Sequence, residues 1–216
     1  MRHAGKPAIA LVAVLIVVAG CHWRGVEGDG NIKTESRPMA DFSGLKVTGG
    51  YRIEWSGGKP SLTISADENL LPLIRTDVID GTLQVDSKES LRPTRDITII
   101  LSSSALAEVH LTGGNSLQAR QVSGLQLKLG STGASDITVD GSVTTLDVTM
   151  TGASKLSAKS LQVRNAALSL TGASDADVNV TDKLKVSVTG AGSLTYSGNP
   201  ALDQRVTGAG SIRHRE

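Results

Sequence analysis

Asp136, Lys155 and Asp175 stand at the same place in three successive copies of one short phrase, four residues after its threonine. A pair of carboxylates can cleave a glycosidic bond if they sit about 5 to 9.5 Å apart. If the copies stack as β-rungs, neighbours lie about 4.8 Å apart, which sets Asp136 and Asp175 about 10 Å from each other. Lys155 falls between them. The alternating signs therefore read as an exposed charge ladder, since opposite charges on adjacent strands support each other. Ser135, Ser154 and Ser174 form a hydroxyl column in the same copies. A nucleophilic serine needs an adjacent base. The four histidines do not offer one: His3 and His22 lie near the N-terminus, His110 falls on an outward column, and His214 is two residues from the end. The serines are expected to hydrogen-bond at corners instead. No two histidines have metal-ligand spacing, and Asp175-Ala176-Asp177 lacks the repeated pattern of calcium β-rolls. No cofactor or metal is expected, and the chain reads as non-catalytic. Tyr51, Ile53 and Trp55 share one strand face. Tyr51 and Trp55 are either core or, with Asp136, Lys155 and Asp175, part of a binding surface.

The elements that would position these residues follow from the repeat. Six copies begin at Thr112, Thr132, Thr151, Thr171, Thr189 and Thr207, with steps of 20, 19, 20, 18 and 18 residues. A near-constant period of this length marks a solenoid, in which each repeat is one rung and buries its apolar face only by stacking. Thr48-Gly49-Gly50 looks like an earlier copy. The glycine after each threonine, Gly113, Gly133, Gly152, Gly172, Gly190 and Gly208, suits a corner that few other residues accept. No proline lies between Pro93 and Pro200, as continuous strand ladders require.

In register on the threonines, three aliphatic columns appear. Three residues before stand Val109, Leu129, Val148, Leu168, Val186 and Gln204. Five before stand Ala107, Leu127, Leu146, Ala166, Leu184 and Leu202, and five after stand Leu117, Ile137, Leu156, Ala176, Leu194 and Ile212. Their period of two puts them on one strand face, so they are expected to line the interior. Two strands per rung are expected, separated by the Thr-Gly corner and a more variable loop. From Asn31 to Ser104 the repeat is blurred, yet segments such as Leu62-Thr63-Ile64 and Leu83-Gln84-Val85 alternate as strands do. Only Glu68 to Thr76 could hold a helical turn, and Pro72 limits it.

Composition narrows the partners. Lys+Arg number 22 against Asp+Glu 21, and aromatics are 2% of 216 residues. Neither a basic footprint nor a stacking platform for nucleic acid follows. The single cysteine, Cys21, excludes a disulfide framework. Arg2 and Lys6 precede an apolar run from Ala8 to Ala19, which is too short for a bilayer needing about 20 residues. The run ends in Val18-Ala19-Gly20-Cys21, which resembles the bacterial lipobox. That resemblance implies a signal peptide over 1–20, acylation of Cys21, and a tether over 21–30 before a folded domain over 31–216. His22, where inner-membrane retention signals place aspartate, points to the outer membrane, facing the periplasm.

The repeated Thr-Gly phrase, with Gly44-Leu45-Lys46-Val47-Thr48-Gly49, Ala66-Asp67-Glu68-Asn69-Leu70 and Asp80-Gly81-Thr82-Leu83, resembles the GIN domain, a family named for the head of autotransporter adhesins. The resemblance spans about Asn31 to Arg213. It implies an all-β, single-stranded right-handed β-helix, a β-solenoid with rungs of 18–20 residues, and a place in the cell envelope. It brings no functional residues. No membrane barrel, with its many amphipathic strands, is expected after the last rung. The expected role is an envelope lipoprotein that binds or scaffolds an envelope protein or glycan. A polysaccharide-active enzyme on the same fold and a periplasmic partner of a signalling or assembly system are the alternatives.

Overall fold

The computed structural model describes residues 25–216. It is a β-solenoid of about 5 turns. Val109, Leu129, Val148, Leu168, Val186 and Gln204 are consecutive register partners, as are Leu117, Ile137, Leu156, Ala176, Leu194 and Ile212. The aliphatic members of the first column are 0–4% exposed. All these pairings are parallel, so the repeat period sets the register. Thr48 is the partner of Thr112, which makes Thr48-Gly49-Gly50 a true first copy.

Two expectations need correction. The second bend of each rung is not a loop. Ser116–Gly133, Asp136–Gly152, Lys155–Gly172 and Asp175–Gly190 each run as one strand from corner to corner. The bend is carried by register shifts, as between Ala119 and Val122 and between Thr138 and Asp140. Such bulges turn a strand without ending its ladder. The columns also fail at their ends. Ala107 is exposed and Leu106 is buried in its place, where the chain enters from the preceding segment. Gln204 and Leu202 are exposed because no described rung follows them.

The blurred region is blurred because its rungs are out of chain order. Thr82–Ser87 pairs parallel with Gly44–Gly49, and Thr98–Ser103 pairs parallel with Arg52–Gly57. The later residues thus lie beneath the earlier ones. Antiparallel strands close this end: Ser61–Asp67 on Thr98–Ser103, Ile32–Arg37 on Ser61–Asp67, and Ile74–Ile79 on Thr82–Ser87. Among the described residues the one helical turn is Leu71–Leu73, with Pro72 inside it.

The segment expected as a tether is partly inside the fold. Cys21 and the signal lie outside the described residues, but Val26–Glu27 pairs with Leu91–Arg92. Asp67 holds the following turn. Its side chain is fully buried and accepts hydrogen bonds from the Gly30 N–H at 2.8 Å, the Thr94 N–H at 3.0 Å and the Thr94 hydroxyl at 2.6 Å. Burial pushes its carboxyl up, but the Thr94 and Gly30 donors outweigh it and hold it below the usual carboxylate range. The folded part therefore includes residues ahead of Asn31, from at least Val26.

Candidate functional site

At the corners the small side chains bond between rungs. The six repeat glycines have φ between +98° and +120°. Ser135, Ser154 and Ser174 are buried. Each donates its hydroxyl to the glycine carbonyl of the preceding corner: Gly113 at 3.1 Å, Gly133 at 3.3 Å and Gly152 at 3.3 Å. The Ser154 hydroxyl also accepts the Ser135 N–H at 3.1 Å. Asn115 takes the serine position in the copy that begins at Thr112, and its Oδ1 accepts the Tyr51 N–H at 3.1 Å. The hydroxyl column is thus occupied by backbone bonding, which leaves it no nucleophilic role.

The five residues singled out as a binding surface do not form one. Tyr51 and Trp55 are 4% and 3% exposed. They face inward on the wall whose outer face carries Asp136, Lys155 and Asp175. Trp55 donates its Nε1–H to the Ser103 hydroxyl at 2.9 Å, which satisfies the indole inside the core. Burial pushes the Tyr51 hydroxyl up, with the Asp86 charge adding to this and a Ser87 hydrogen bond opposing it. Asp136, Lys155 and Asp175 are exposed register neighbours, as expected. No ion pair among the described residues joins them. Asp175 instead accepts the Ser193 N–H at 3.1 Å and the Ser193 hydroxyl at 2.5 Å. Opposite charges in solvent contribute little, so the carboxylate turns to the nearer fixed donors.

The opposite wall holds a surface that no single residue announces. Two outward columns, four and two residues before each corner threonine, run side by side over its last four rungs. Between them lies a groove of about 660 Å³. Thr149, Ala167, Ser169 and Ser187 are its small residues, and Asp147, Lys185, Asp203 and Arg205 carry charge along it. Asp147 is held by the Gln126 amide at 2.6 Å. Ala167 opens the charged column, because it stands where the neighbouring rungs carry Asp147 and Lys185. Asp147 and Asp203 are three rungs apart, about 14 Å, beyond the range of a carboxylate pair acting on one glycosidic bond. The columns are legible in the sequence; the groove depends on the small residues falling together.

A larger cavity, about 970 Å³, lies at the N-terminal end between Gly49-Gly50-Tyr51 and the Asp86–Pro93 segment. Its rim carries both signs, Asp86 and Glu89 with Lys88 and Arg92. It is a gap between the closing strands and the first corner, away from the repeating wall. Among the described residues no group of three or more histidine, cysteine or acidic side chains could hold a metal ion. His110 pairs with Glu108 at 2.8 Å, and His214 packs on Tyr196.

A family model described as "Putative auto-transporter adhesin, head GIN domain" matches residues 41–200. The chain belongs to the GIN-domain family. No curated protein matches it. Three solved structures share the fold of this GIN domain. A "putative adhesin" from Bacteroides fragilis is 21% identical with a TM-score of 0.72, covering 88% of this chain and 100% of that one. A "Putative lipid binding protein" from Parabacteroides distasonis is 21% identical with a TM-score of 0.60, covering 89% and 100%. A "putative adhesin" from Parabacteroides merdae is 22% identical with a TM-score of 0.54, covering 89% and 99%. At these identities the likeness is one of fold. The names that the family and these structures carry are adhesin or lipid-binding names and not enzyme names.

Proposed function

We propose that this GIN domain is a non-catalytic binding or scaffolding module of the bacterial cell envelope, anchored by acyl chains on Cys21 in the outer membrane and facing the periplasm. Its ligand is an extended polar chain, an envelope glycan or protein segment, laid along the wall groove. The observation that carries this reading is the groove itself: small hydroxylated and methyl side chains beside alternating charges over four stacked rungs. Such a surface offers many modest contacts in line and no enclosed reaction chamber. The adhesin-like family supports an envelope or surface location. Among the described residues no helix is long and apolar enough to cross a membrane.

Two results test this. Ser169 is exposed in the groove, so Ser169→Trp fills it without entering the core. In a binding screen of the full chain against envelope glycans and envelope proteins, the variant is expected to lose at least about tenfold in affinity, roughly 1.4 kcal/mol, with an unchanged melting temperature. Binding equal to the unmodified chain rules the groove out. For the anchor, Cys21→Ala is expected to move the protein from the membrane to the soluble periplasmic fraction, since several acyl chains hold a protein firmly and none does not. Membrane fractionation unchanged by the substitution removes the lipid anchor from the reading.

A further inference from the structure

The two ends of the solenoid are finished differently. Antiparallel strands close the N-terminal end. At the other end Ala201–Gly208 pairs only with Asp175–Gly190, and no element among residues 25–216 lies on its free edge. All eight of its residues are exposed. Leu202 and Val206 are 37% and 42% exposed, although their register partners Leu184 and Val188 are 1% and 0% exposed. A free strand edge with apolar side chains is a template for another strand.

We propose that this edge is a dimerisation surface, on which Ala201–Gly208 pairs antiparallel with the same strand of a second copy about a twofold axis at Gln204. The strand is self-complementary about that residue. Directly opposite residues of an antiparallel pair lie on the same face. With the axis at Gln204, inward Leu202 meets inward Val206 of the second copy, and outward Asp203 meets outward Arg205, each twice by symmetry. Moving the axis by one residue sets Asp203 against Asp203 or Arg205 against Arg205. Moving it by half a residue sets inward side chains against outward ones, which the buried face forbids. Gln204 itself ends a column that is aliphatic at Val109, Leu129, Val148, Leu168 and Val186. A carboxamide carries both donor and acceptor, so two Gln204 side chains can bond reciprocally across the axis. The one polar residue of that column thus stands at the one inward position that meets itself.

Sedimentation of the full chain over a range of concentrations tests the surface without any ligand, so self-association stands or falls separately from the groove reading. The unmodified chain is expected to sediment as a dimer. Asp203→Arg and Arg205→Asp each place like charges opposite twice, and each should weaken association at least about tenfold. Both positions are exposed in the single chain, so both variants should stay folded, with any fall in melting temperature following the lost association. Mixing the two variants restores both opposite-charge contacts in a mixed dimer, and the dimer should return. A monomeric unmodified chain, single variants that dimerise as well as it does, or a mixture that stays monomeric overturns the proposal.

Discussion

Leu168→Asp is expected to unfold the domain, while Ser169→Asp, one residue on, leaves it folded. Leu168 is 4% exposed and lies in register between Val148 and Val186, which are 3% and 2% exposed. Removing a buried leucine side chain costs about 2 to 5 kcal/mol. Leaving an unpaired carboxylate in its place adds several more, unless it takes up a proton and gives up its charge. The sum is comparable to the whole stability of a domain, about 5 to 15 kcal/mol. The position matters as well as the residue. A solenoid is held by nearest-neighbour contacts, and this rung has folded rungs on both sides, so it cannot be shed as a frayed end. Ser169 is exposed, and its register partners are Thr149 and Ser187, neither charged. Its change should stay within about 0.5 kcal/mol. Thermal unfolding followed by circular dichroism compares the two. Equal melting temperatures would refute the assignment of Leu168 to the inward column and Ser169 to the outward one.

That comparison rests on the part of the fold most legible in sequence. Six threonine–glycine anchors at nearly equal steps set the register, and a period of two inside each step sorted inward from outward. The sorting could not say which face of an isolated strand is inward. Tyr51 and Trp55 therefore remained undecided between core and surface, and the burial of the strand Arg52–Gly57 against Ser116–Gly133 and Thr98–Ser103 decides it. The N-terminal closure was not legible for a different reason. Thr48 and Thr112 are register partners but lie far apart in the chain, and no local pattern reveals that Thr82–Ser87 lies under Gly44–Gly49. Asp67 shows the same limit. In sequence it is one residue of the Ala66-Asp67-Glu68-Asn69-Leu70 phrase with no role attached, and its role is set by Gly30 and Thr94, both distant along the chain. Of the candidate site, the charged and hydroxylated columns were visible and their coincidence around Ala167 was not. A groove depends on which outward positions are small on neighbouring rungs, and that is a property of the stack.

Gly133→Ala is expected to cost about 2 to 5 kcal/mol, although it adds a single methyl group at a partly exposed corner. Gly133 has φ +120°, outside the range that side-chain-bearing residues accept without strain. A Cβ there would lie 2.6 Å from the Gly113 carbonyl oxygen and 3.1 Å from its nitrogen. Both atoms are backbone in the next corner, and neither can move without breaking a ladder bond. The Ala134 N–H donates to that same Gly113 oxygen at 3.0 Å, so displacing it also strips the bond that ties the two corners. Gly114→Ala is the matched control. It stands where the other copies carry Ala134, Ala153, Ala173, Ala191 and Ala209. Its Cβ would meet only the Ala134 oxygen, at 3.9 Å, an ordinary contact. That substitution narrows the unfolded chain's conformations without native strain and should stabilise the domain by about 0.4 to 1 kcal/mol. Denaturant midpoints of the two variants should therefore move in opposite directions from the unmodified protein. A shared direction would mean that the corners tolerate a side chain at the first glycine, and that the close approach of successive corners does not hold the stack together.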